Sequence, residues 1–463
     1  MGDCCSFYDF PFFGWKIQDK ADSGQYAVYL TYADTLIGKE YVEGEDTQEY
    51  MDMYMEYVKN MLCAFGMAET DAQQSADSIQ RLLREICAST LTIDQRYDPS
   101  KTYNVYTAET LQQLFTNVDV DKMLKTLRID GQEKYIVMDV EQAKKINALL
   151  VEENLEALKD YSTFTMLNDV AQYADETFVK LQGDMRNALY GITESWEDEK
   201  IWMKLTQELL PWDFGMIYVE EHFSQEDKEE VEKIIAQILE EYEAIILKQD
   251  WMSEATKEKA IRKLETMQIK IGYPDQWPDA KDMMQVTPVS EGGSLMSNLL
   301  VSMKVSIEDM LDRLGDGVDR SEWADTPQTV NAYYDPQNNE IVFPAAILQA
   351  PFFDRENSYG AKVDGELTLM ENIADLGAIT CISSILRNDE EALDEAFGQM
   401  TYNWAAEDTA SYMMYLISTD THALNKVRVN AILSSCEAFY DLYDIKETDG
   451  MYVAPEERVG IWR

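Results

Sequence analysis

Histidine is nearly absent from this chain: His222 and His422 are the two in 463 residues. Chemistry that needs two neighbouring histidines is thereby excluded, and no H-E-x-x-H, H-x-H or His-rich tract occurs. Cysteine is also sparse. Cys4, Cys5, Cys63, Cys87, Cys381 and Cys436 form no C-x-x-C, which argues against a disulfide scaffold and for scattered buried thiols, with Cys4 and Cys5 at a loose end. Basic residues are in deficit, 39 Lys and Arg against 87 Asp and Glu, for a net charge of −48. Such a chain repels phosphate backbones and anionic lipid, which excludes nucleic acid and membrane surfaces as partners. Long apolar runs are missing too: Ile341–Phe353 is broken by Pro344 and Pro351 and falls short of the about 20 residues that span a bilayer. The first residues carry neither a basic region nor an apolar one, so the expected location is the cytoplasm. Hydrophobic residues, at 46%, are plentiful enough for a large core, and the length predicts two lobes.

The first half reads as helical. Tyr50, Met53, Tyr54, Tyr57, Met61 and Phe65 recur at spacings of three and four, which puts them on one apolar helix face. Helices are further predicted over 69–88, 154–190, 198–210 and 227–247, with Ser253 capping another over 254–264. A short strand is predicted near 133–139. Pro274 and Pro278 mark the connection between lobes. Beyond it, a helix over 295–314 precedes two β-prone runs, 330–334 and 339–343, on either side of the turn-rich Asp335-Pro-Gln-Asn. Helical patterns return over 365–386, 390–405 and 424–443.

Two places carry chemistry. An Asn331-Ala332-Tyr333 strand at a sheet edge could pair its backbone with an extended peptide, the Asn amide fixing register, although an ordinary edge strand looks the same. Glu371 and Asp375, four apart, share one helix face, where two like charges repel modestly. His422 alone reads as a surface or capping residue.

Several blocks taken together point further. Thr326-Pro-Gln-Thr-Val-Asn-Ala-Tyr-Tyr-Asp-Pro is followed by Asn339-Glu-Ile-Val-Phe-Pro and Pro351-Phe-Phe-Asp354. Around them lie Ile271-Gly-Tyr-Pro, Glu371-Asn-Ile-Ala-Asp375, Asp420-Thr-His422, Arg428-Val-Asn and Pro455-Glu-Glu-Arg. In sequence and order these resemble the neprilysin-type zinc metallopeptidases, which include neprilysin, the endothelin-converting enzymes and oligopeptidase O. The resemblance implies a mainly α fold with a small β component, two-lobed. Its parts would be a poorly defined segment 1–24, a helical lid-type lobe 25–270 and a catalytic-lobe remnant 271–463, with the peptide-binding strand over 330–344 and the Glu-Asn-Ile-Ala-Asp helix over 366–386. It also implies roles. Glu371 would be the third zinc ligand and Asp375 the residue that orients a ligand histidine. His422 would stabilise the oxyanion, Arg428 would hold a substrate carbonyl, and Asn331, Ala332 and Tyr333 would grip the substrate backbone. His222 matches no family ligand.

The family needs H-E-x-x-H on a helix between the Pro-Phe-Phe-Asp and Glu-Asn-Ile-Ala-Asp blocks. There two imidazoles face one Zn²⁺ and the Glu activates its water. Here only Arg355 to Asp364 join Asp354 to Gly365, too few residues for that helix and the loops after it. Met370 and Ala378 stand where glycines are usual, and the family's N-terminal segment is at most faintly echoed by Phe7-Tyr-Asp-Phe-Pro-Phe. The expectation is a neprilysin-like fold lacking the zinc-binding active-site helix, without peptidase activity and without tightly bound zinc, at most a weak binder of extended peptides. Three alternatives stay open. The chain could be a scaffold with no binding role, a deleted version of an active zinc endopeptidase, or a metal site rebuilt from Glu371, Asp375 and His422.

Overall fold

The computed structural model of the chain describes residues 14–33, 38–39, 42, 48–192, 198–278, 286–349, 369–404, 412–413, 416 and 422–459. Helices dominate, and the chain divides into two compact units, each assembled from two stretches of sequence. One holds residues 1–201 and 279–318, the other 202–278 and 319–463. A single cut at residue 270 therefore does not separate them: 202–278 belongs with the second unit and 279–318 with the first.

The first unit is built on a four-stranded sheet in the order β1-β2-β4-β3. Its strands are β1 (Gly14–Asp19), β2 (Asp22–Leu30), β3 (Asn104–Tyr106) and β4 (Tyr135–Val137). The β1–β2 hairpin lies largely in the segment expected to be poorly defined, and β2 runs parallel to β4. Ala27, Val28, Tyr29 and Leu30 are buried in succession, so both faces of β2 are covered and no apolar–polar alternation marks it in the sequence. The hairpin turn is fastened by buried Asp19, whose carboxylate takes hydrogen bonds from the Tyr103 hydroxyl (2.5 Å) and from Lys134.

Helices α1 (Gln48–Ala64) and α2 (Glu69–Cys87) follow the predicted spacing. Tyr54 and Tyr57 from α1 meet the Phe164 ring edge-on at 6.0 and 5.7 Å, in a core shared with Val58, Met61 and Leu62. The long helix expected over 154–190 is two, α3 (Leu155–Val170) and α4 (Glu176–Tyr190). Asp175 accepts a hydrogen bond from the Thr177 N–H and starts the second afresh. Residues 279–318 contribute α5 (Leu295–Asp312), whose Glu308 and Asp312 face Arg128, and Val318 N–H donates to the Gly24 carbonyl.

The second unit has a three-stranded sheet, β5-β7-β6. Its strands are β5 (Gln268–Gly272), β6 (Tyr333–Asp335) and β7 (Glu340–Pro344). The two β-prone runs meet in the antiparallel β6–β7 hairpin, and β5, which the sequence reading did not predict, pairs in parallel with β7 just before the connection marked by Pro274 and Pro278. At the end of β5, Gly272 has φ +76°, and a Cβ there would run into the Phe223 ring, so glycine alone fits. Between β5 and β7, Lys270 and Glu340 form a buried ion pair (2.8 Å). A helix over Asp198–Leu209 enters this unit as predicted, and α6 (Pro211–His222), α7 (Gln225–Lys248) and α8 (Glu254–Glu265) follow before the sheet, the last capped by Ser253 as predicted. After it come α9 (Leu369–Leu386), α10 (Glu390–Asn403), α11 (Asn425–Leu433) and α12 (Glu437–Tyr443). The last two replace the single helix expected over 424–443. Ile379, Phe397, Met400, Ile432 and Leu433 form the core among them.

Candidate functional site

Helix α9 carries Glu371 in its first turn, where the helix dipole favours an acid, and Asp375 one turn later. The segment before α11 brings His422 to Glu371, with Nε2 3.5 Å from Oε2 and both side chains nearly half exposed. Arg428, in α11, lies 3.8 Å from the Asp375 carboxylate; these two side chains are 10% and 14% exposed, so this pair is largely shielded from solvent. The Arg428 guanidinium also lies over the Trp404 ring, 4.1 Å from its centre, a cation–π contact that orients its plane. Trp404 was not singled out from sequence; nothing local ties a tryptophan at the end of α10 to an arginine in α11.

Four of the residues expected at the site thus come together as two acid–base pairs on adjoining helix ends. Asn331, Ala332 and Tyr333 form a second group at the edge strand of the sheet. Asn331 and Ala332 precede β6 rather than lying in it, and both are exposed. The Asn331 amide donates to Asp325 (2.7 Å) and accepts from the Ala332 N–H (2.9 Å), while the Tyr333 hydroxyl accepts from the Ala324 N–H (3.1 Å). Burial raises the Tyr333 pKa above its ordinary value. His222 ends α6, exposed, its ring tilted by 51° against that of Tyr218 with 5.0 Å between their centres.

The donor set can be tested against zinc. Three protein ligands are the minimum for a catalytic zinc with an open position. Here Glu371 and His422 approach each other, but Asp375 faces Arg428, a cation, and the described residues contain no group of three His, Cys, Asp or Glu side chains able to hold a metal. A site rebuilt from Glu371, Asp375 and His422 does not form in this arrangement. The sequence joining residues 350–368, where the family's histidine helix would be expected, lies outside the described residues.

Comparison with solved structures defines the class of the fold. The chain is similar to the Mycobacterium tuberculosis zinc metalloprotease Zmp1 solved with an inhibitor, at TM-score 0.89 and 23% identity, covering 100% of this chain and 82% of that one. It is equally similar to PepO from Lactobacillus rhamnosis, at TM-score 0.89 and 22% identity, covering 100% and 84%. The architecture is that of a two-unit, mostly helical metalloprotease. The family follows from sequence: the N-terminal model of peptidase family M13 matches residues 4–274, and the family's other model matches two stretches, 331–361 and 355–459. The chain belongs to peptidase family M13, a family of zinc metalloendopeptidases. Relatives include a neutral endopeptidase of Lactobacillus helveticus, 27% identical over 90% of this chain and 73% of that protein. Another is Neprilysin-3 of Drosophila melanogaster, 27% identical over 74% of this chain and 46% of its own length. Among the described residues no helix is long and apolar enough to cross a membrane.

Proposed function

We propose that this chain is a family M13 homologue that does not hydrolyse peptide bonds and retains, at most, weak binding of extended peptides. One observation carries the reading: the histidine pair and base glutamate that family chemistry requires have no counterpart in the sequence. The way the family model matches supports it, because the two matched stretches meet at 355–361, where a continuous match would hold the zinc-binding helix. The remaining donors cannot substitute. One glutamate with one histidine leaves a zinc under-coordinated and leaves no base to activate its water.

In place of a metal centre, His422 accompanies Glu371 and Arg428 accompanies Asp375. The Arg428 guanidinium thus offsets one of two carboxylates that would otherwise repel each other on one helix face, and the His422 imidazole lies beside the other. The exposed Asn331-Ala332 segment beside edge strand β6 is the part suited to meet an extended chain by strand addition.

The test is direct. Purified protein with added Zn²⁺ is incubated with a quenched fluorescent peptide library. No cleavage is expected, and chelator-sensitive cleavage would end this reading. The meeting of the two matched stretches also favours a second reading, an active endopeptidase gene from which this segment has been lost, which sequencing the locus would decide.

A further inference from the structure

Asn331 has a neighbour that no family role accounts for. A primary amide has two N–H donors and an oxygen with two acceptor sites, and turning it over exchanges them. Two contacts remove that ambiguity: the Asp325 carboxylate, an acceptor, faces Nδ2 at 2.7 Å, and the Ala332 N–H, a donor, faces Oδ1 at 2.9 Å. Each uses one site, which leaves one N–H and one acceptor on an exposed side chain beside β6, the edge strand of its sheet among the described residues. That is the complement of a peptide unit, which offers one C=O and one N–H.

We infer that Asp325 is a positioning residue: it sets the orientation in which the Asn331 amide meets the backbone of an extended peptide. The inference rests on the peptide-binding reading above for its ligand, but the orientation itself can be measured without one. Asp325 is not needed to hold its own loop. Lys270 Nζ donates to the Glu322 carbonyl (2.5 Å), Gln328 Nε2 to the Pro211 carbonyl (2.9 Å) and Ala346 N–H to the Pro327 carbonyl (2.8 Å). Those ties remain when Asp325 is replaced, so a substitution there acts on Asn331 and leaves the loop anchored.

The experiment compares wild type, Asp325→Ala, Asp325→Asn and Asn331→Ala in the full chain. Affinity for a fluorescein-labelled, end-capped oligopeptide of alternating alanine and leucine is read by polarisation, and exchange of the Ala332 amide by mass spectrometry. Asp325→Ala is expected to weaken binding about tenfold, close to the Asn331→Ala value, and to speed Ala332 exchange by a similar factor at unchanged melting temperature. Asp325→Asn, which keeps an acceptor oxygen, should recover binding to within about threefold of wild type. The inference is overturned if Asp325→Ala leaves Ala332 exchange and affinity unchanged. It is equally overturned if Asp325→Asn is as damaging as Asp325→Ala, since charge rather than amide orientation would then be responsible. If wild type binds no peptide, the peptide-binding reading fails, and the exchange comparison alone decides whether Asp325 orients Asn331.

Discussion

Replacing Lys270 with methionine should loosen the sheet that carries the Asn331 segment. Lys270 and Glu340 sit on neighbouring parallel strands, 2.8 Å apart, with side chains 5% and 4% exposed. Lys270 also donates to the Glu322 carbonyl, so one ammonium serves both the strand pair and the loop that leads towards Asn331. Methionine keeps most of the volume but removes the charge, leaving the Glu340 carboxylate buried without its partner. Removal of one member of such a pair costs about 3–5 kcal/mol. Replacing both, Lys270→Met with Glu340→Leu, removes the stranded charge, and the double variant should return to within about 1–2 kcal/mol of wild type. Native-state hydrogen exchange of residues 340–343 reads the local opening free energy, and in the single variant those amides should exchange more than about a hundredfold faster. A single variant within about 1 kcal/mol of wild type, or a double variant worse than the single, would refute the claim that this pair holds the sheet.

Three further outcomes are expected. Burial raises the Asp19 carboxyl, but hydrogen bonds from Lys134 and Tyr103 outweigh it and leave the pKa below 3.8; the stability it contributes is therefore present above the ordinary carboxylate range and lost as pH falls through its lowered value. The melting-temperature gap between wild type and Asp19→Asn should accordingly be full at neutral pH and close in acid, and a gap that persists at low pH would count against this. Gly215→Ala would put a Cβ 2.8 Å from Gln328 Oε1 and 2.9 Å from Pro327 Cδ, so it should cost about 1–3 kcal/mol in thermal or urea unfolding; a neutral substitution would show that the loop yields freely. Burial pushes the Cys381 thiol up to about 12 and raises Cys436 as well, so iodoacetamide at mildly alkaline pH should label neither until the protein is denatured, as peptide mapping would reveal.

What could be read in the sequence, and what could not, divides by range of interaction. Helices α1 and α2 announce themselves because their apolar residues recur on one face, and α8 because Ser253 supplies a cap. Strand β5 is not legible because what makes it a strand is β7, whose first residue lies about seventy positions later. The β1–β2 hairpin was missed for a related reason: the buried run Ala27–Leu30 has no period-two pattern. At the site, the spacing of Glu371 and Asp375 was legible as a shared helix face. That one would pair with His422 and the other with Arg428 was not, since these contacts join α9 to elements about fifty residues further on. Asp325 was overlooked because an aspartate six positions before an asparagine carries no periodic signal; their hydrogen bond depends on the turn between them.

The interleaved units also bear on how the chain folds as it is made. Domains that occupy one continuous stretch can close as soon as they emerge from the ribosome, N-terminal first. Here the first unit waits for 279–318, whose α5 brings Glu308 and Asp312 to Arg128. At 5–20 residues per second, the interval between residues 201 and 318 is roughly 6 to 23 s. During that time the first unit lacks α5, and β5 has emerged without β7. A fragment ending near residue 270 would hold that unfinished state permanently, so it should behave as a chaperone client rather than as a free-standing lobe.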